Sequence, residues 1–224
     1  MQNREAIDRA LNEIFDAERI VRRVHDELAA SKQPDRVIEA LVAAVETSAR
    51  EPDEAEASLR LVRVSALLGE FEGPRVVDAL IDILATEHPE ARRAAGEELE
   101  NLAYDRFKEV ATGVERALKR LPVGSPALPE LPYLLAEIPE NGVIKLLGLF
   151  LAHEDADAVA AAIEAIVEIG DPTAVRFLEP LVGDDRAVEM ADEGDDDTTN
   201  EITIGELAEE AIGLLDEGED DEES

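Results

Sequence analysis

The chain contains no cysteine and no tryptophan, and aromatic residues make up only 3% of its 224 positions. Without thiols there is no disulfide, no thiolate nucleophile and no cysteine-ligated metal. Scarce aromatics leave the core to Leu, Ile, Val and Ala, side chains small enough for close helix stacking. Long apolar runs are missing as well: 18 apolar residues never occur together, and residues 1–10 carry no apolar stretch. Neither a transmembrane helix nor a signal peptide is expected, which makes the cytoplasm the expected compartment.

Basic residues are scarce in one half. Residues 1–121 carry 18 Lys and Arg against 26 Asp and Glu, whereas residues 122–224 carry 3 against 29. The formal charge of −34 is therefore concentrated towards the C-terminus. Phosphate binding needs cationic side chains to displace counterions, so nucleic acid is not expected as a ligand of the acidic half. A basic protein surface is its natural complement.

What the sequence has in abundance is helical periodicity. Val143, Ile144, Leu147, Phe150 and Leu151 recur at three- and four-residue steps, and after the turn His153-Glu154-Asp155 the pattern resumes with Ala158, Ala161, Ala162, Ile163, Ile166 and Ile169. Gly170 is the expected C-terminal stop, and Asp171-Pro172 an N-cap followed by proline. A shift of 67 lays residues 76–99 on 143–166 without a gap, and shifts of 34 and 31 bring further helices into register. The chain therefore repeats a helical hairpin every 31 to 34 residues, a unit that buries its apolar stripe only by stacking on its neighbours.

The Gly/Asp-Pro starts (Gly73-Pro74, Asp171-Pro172), the apolar first helix, the short acidic turn and the Ala-rich second helix ending near Gly resemble the HEAT-repeat family, in its short bacterial, phycobilisome-lyase-like form. The resemblance covers residues 34–216 and implies an all-α fold, an α-solenoid of about five helical-hairpin repeats. Residues 1–33 are expected to form an N-terminal capping helix, its stripe of Ile7, Leu11, Ile14, Ile20, Val21, Val24 and Leu28 buried. Prolines 122, 126, 129, 132 and 139 predict a short or kinked helix. Residues 217–224, almost wholly acidic, are expected to be a disordered tail.

The last repeat is interrupted by about 15 extra residues within 184–204, where apolar alternation on either side of an acidic, Gly-containing tip predicts a small β-hairpin. Its acids, Asp192, Glu193, Asp195, Asp196 and Asp197, are candidates for docking a basic partner. Asp195, Asp197, Thr199, Glu201 and Glu206 can also be laid over the donor positions of a twelve-residue calcium loop, although Thr is a poor ligand and Asn200 stands where Gly is usual. Arg60, Arg63, Arg92 and Arg93 lie on second helices, which line the concave face of HEAT-like solenoids; they would either take an acidic segment there or pair with nearby Glu. His25, His88 and His153 have no partner at metal-ligand spacing. No cofactor motif and no phosphate loop or nucleophile elbow is present.

These features predict a non-catalytic protein-protein interaction scaffold whose acidic C-terminal half docks a basic protein or peptide, with no role for nucleic acid or membrane. Two alternatives stand beside it: a bilin-lyase-like enzyme or accessory factor, which the family resemblance suggests, and a calcium-responsive module.

Overall fold

In the computed structural model the described residues are 4–192 and 195–222, with side chains described over 4–189 and 201–216. The chain is mostly helical: α1 (Arg4–Ala29), α2 (Pro34–Ser48), α3 (Glu54–Leu68), α4 (Pro74–Leu84), α5 (Pro89–Arg120), α6 (Ala127–Ala136), α7 (Val143–Leu151), α8 (Ala156–Ile169), α9 (Val175–Leu178, flanked by two 3-10 turns) and α10 (Ile204–Glu222). A single antiparallel hairpin, β1 (Ala187–Asp192) and β2 (Asp195–Thr203), interrupts them.

Local chemistry accounts for the boundaries. Pro34, Pro74 and Pro89 occupy first helical turns, where a missing N–H leaves no bond unmade. Asp53 and Asp155 cap α3 and α8, accepting from backbone N–H groups at 3.0 to 3.1 Å. Gly170 ends α8 with φ +69, a left-handed conformation that suits a residue without Cβ. α6 is short, with Pro132 inside it. α5 is kinked at Arg106 (φ −142, ψ 50), whose guanidinium donates to the Phe71 carbonyl at 3.3 Å and pairs with Glu72.

Neighbouring helices form one continuous core. α2 packs on α3 and α4, α3 and α4 on α5, α5 on α6 and α7, α6 on α8, and α7 and α10 on α8. The predicted stripe of α7 is buried throughout, as are Ala158, Ala161, Ala162, Ile163 and Ile166 of α8. Polar ties between elements recur at similar chain separations. Arg116 donates to Asp78 across 38 residues at 2.8 Å, Gly73 N–H to Glu109 across 36 at 2.7 Å, His153 bonds the Leu118 carbonyl across 35 at 3.1 Å, and Gly124 N–H donates to Asp155 across 31 at 2.6 Å.

The ends depart from the sequence reading. Of the apolar stripe expected to be buried in α1, Leu28 is half-buried and the other six residues are exposed; no residue of that helix is fully buried. At the other end helical backbone runs through Glu222, where a disordered tail from residue 217 was expected; neither a proline nor a left-handed glycine stops it after Leu215.

Candidate functional site

α8 and α10 lie side by side and leave a groove of about 350 Å³ between them. Its floor is Ile163, Val167, Leu207, Ala211 and the half-exposed Leu214, and its rim is Glu164, Glu168 and Glu210. No basic side chain lines it. The arrangement follows from helical spacing: Glu164 and Glu168 lie one turn apart on α8, beside the apolar steps Ile163 and Val167. Leu207, Ala211 and Leu214 repeat at steps of four and three on α10.

The hairpin sets where α10 begins. Val188 and Ile202 are cross-strand partners that turn toward the core, Val188 being buried. The chain then enters α10 through a capping box: the Glu206 carboxylate accepts from the Thr203 N–H and hydroxyl, both at 2.9 Å, while Thr203 Oγ1 accepts from Glu206 N–H. Those bonds hold the Glu206 carboxyl below its usual pKa.

A second groove of about 340 Å³ lies between α5 and α6, joined to the first by the hydrogen bond from the Tyr133 hydroxyl to Glu164. Burial, then the bond to Glu164, pushes the Tyr133 phenol well above its ordinary range. This groove holds Arg92 and Arg93 together with Glu97, Glu100, Glu130 and Glu137. Burial raises the Glu100 carboxyl, with repulsion from Glu137 and Glu97 adding to it.

The four candidate arginines are already paired. Arg60 donates to Glu56 at 2.7 Å and to Glu51 at 2.8 Å, Arg63 to Glu18 at 3.2 Å, Arg93 to Glu97 at 3.0 Å, and Arg92 to Glu130. Of these five pairs two are intrahelical, as the sequence allows, two cross between helices, and Arg60–Glu51 reaches the loop before α3. Carboxylates outnumber the arginines in the groove that holds Arg92 and Arg93.

The calcium-loop candidates lie on and after β2. Asp195–Thr203 is an extended strand paired with β1, which spaces alternate residues by about 7 Å along a line and does not wrap them round a centre. Glu206, the required bidentate ligand, is engaged in the capping box. Among the described residues no group of three or more potential metal ligands converges. Of the acidic-tip candidates, Glu193 lies outside the described residues, and the side chains of Asp192, Asp195, Asp196, Asp197 and Thr199 are likewise outside them.

Two functional-looking ties escaped the sequence reading. Arg186, one of three basic residues in the acidic half, grips Asp184 through two nitrogens at 3.0 and 2.6 Å and donates to the carbonyls of His153 and Glu154 at 2.8 and 3.2 Å. The pairing lowers the Asp184 carboxyl pKa. His153 is a structural tie between the α7–α8 turn and α5, its Nδ1 accepting from Asp155 N–H at 3.1 Å so that Nε2–H donates to the Leu118 carbonyl.

Among the described residues no helix is long and apolar enough to cross a membrane. No protein-family profile matches the chain, and no curated protein matches it. Among solved structures, the crystal structure of an engineered protein from a structural-genomics consortium is similar over 88% of this chain and 89% of its own, at 16% identity and a TM-score of 0.33.

Proposed function

We propose that the chain is a non-catalytic interaction scaffold, a HEAT-like α-solenoid whose acidic C-terminal half docks a basic protein or peptide. The observation that carries this reading is the α8–α10 groove, an apolar floor rimmed by Glu164, Glu168 and Glu210 with no cation in its lining. Such a groove suits an amphipathic helix presenting apolar residues at three- and four-residue steps between Lys or Arg. The floor supplies affinity and the rim supplies orientation and encounter rate. The solenoid part of the proposal is supported by polar ties that recur 31 to 38 residues apart, close to the 31–34-residue repeat of the sequence.

The test is fluorescence anisotropy with a labelled Lys/Leu amphipathic helical peptide and the full chain. Binding is expected to weaken roughly tenfold between low salt and 0.5 M NaCl, because screening shortens the reach of the rim charges. The triple variant E164Q/E168Q/E210Q is expected to lose most of that salt dependence. Equal binding at both salt concentrations would remove the electrostatic part of the proposal.

A further inference from the structure

α1 leaves one helical face uncovered from Ile7 to Val24, while Leu28 at its end is half-buried. Seven large apolar residues between Ile7 and Val24 are 37 to 57% exposed, and the helix holds to the body through Glu18, which accepts from Arg63 at 3.2 Å, and His25, which bonds Glu70 at 3.2 Å. A helix with this much bare apolar surface is marginal in water, because most helical stability comes from packing an apolar face.

The spacing identifies the kind of cover. Ile7, Ile14, Val21 and Leu28 recur at intervals of seven, with Ala10, Ala17 and Val24 three residues after the first three. A sustained seven-residue repeat drifts round a straight helix and is satisfied by a second helix wound left-handedly against it, not by a flat surface. A lipid surface is disfavoured a second way: α1 carries seven acids against five arginines on a chain of net charge −34.

We propose that the covering helix is α1 of a second copy, packed antiparallel. In that register Ile14 seats over Ala17 of the second copy, Val21 over its Ala10 and Ile7 over its Val24, so large side chains mostly meet small ones. The charge of the helix is polarised along its length. Residues 5–18 carry five acids and one arginine, followed by Arg19, Arg22 and Arg23. In that register Arg23 lies level with Asp8 of the second copy, Arg19 with its Asn12 and Arg22 with its Arg9, whereas parallel packing sets each of the three level with itself. Antiparallel packing also places the two bodies towards opposite ends of a helix about 39 Å long. Each body carries −32, since α1 accounts for only −2 of the −34, so a parallel pair would bring both together at one end.

Sedimentation of the full chain over a concentration series tests this. The expected mass is twice the 24.3 kDa of one chain, retained at 1 M NaCl, where binding of the basic peptide to the α8–α10 groove is screened away. That opposite response to salt separates failure of the dimer from failure of the groove. I14D and V21D, both at exposed positions, are expected to give monomers with an unchanged melting temperature and unchanged peptide binding. Because the chain has no cysteine, a nitroxide placed by E5C reports orientation: about 35 Å between labels for the antiparallel pair, about 20 Å for a parallel one. A wild-type monomer throughout the series, a monomer that co-sediments with phosphatidylserine vesicles, or the short label distance would each overturn the proposal.

Discussion

Asp155 shows what a single buried charge does here. It is 3% exposed, and both oxygens are occupied, Oδ1 by the Ala158 N–H that opens α8 and Oδ2 by the Gly124 N–H from the preceding loop. D155A removes the cap and leaves both donors unmet, and is expected to cost about 2–3 kcal/mol, read from urea denaturation. Glu98 and Glu100 point the other way. Burial is the main reason both titrate above the ordinary carboxylate range, with repulsion from neighbouring glutamates adding to it. A carboxyl with a raised folded-state pKa favours folding below its unfolded value and loses that contribution as pH rises through the folded one. The wild type is therefore expected to lose more stability than E98Q/E100Q between pH 4.5 and 7, measured as the difference between their melting curves.

Whether an insertion is tolerated within a helical core depends on how its ends are joined. The hairpin leaves and returns within one short bridge: Ile204 N–H donates to the Arg186 carbonyl at 2.8 Å and Gly205 N–H to the Asp184 carbonyl at 3.0 Å. A Cβ at Gly205 would meet the Val182 and Asp184 carbonyl oxygens at 2.8 and 3.2 Å, with no flexible side chain to yield. G205A is expected to destabilise the protein by about 1–3 kcal/mol through strain at that joint, checked by thermal and urea unfolding. Removing the capping box with T203A is expected to cost about 1 kcal/mol by the same measurements, because α10 then begins with unpaired N–H groups. α1 presents the opposite case, an element whose own spacing specifies a stripe while the body offers it little to bury against.

At the scale of the molecule, a charge of −34 means self-repulsion sets the stability of the fold as well as its choice of partner. Raising NaCl from about 0.05 to 1 M shortens the Debye length from over 10 Å to about 3 Å, and is expected to raise the melting temperature of the wild type. The same screening weakens attraction between the carboxylate rim and a basic peptide. Stability and partner affinity should therefore move in opposite directions along one salt series.

The sequence by itself determined the helices and their ends, because those depend on interactions within a few residues: Asp171 as a cap, Gly170 as a stop, the buried stripes of α7 and α8. It also determined the hairpin, whose alternating Val188 and Ile202 flank polar, acidic residues. Only the tertiary structure decided which charges are free. Arg60, Arg63, Arg92 and Arg93 look available along the chain, yet each meets a carboxylate, two of them from other helices. It decided too that Glu164, Glu168 and Glu210 face one apolar floor, since no local pattern relates α8 to a helix displaced by a 15-residue insertion. Short-range bonds are written in neighbouring residues, whereas pairing between distant ones depends on how the stacked layers bring them together.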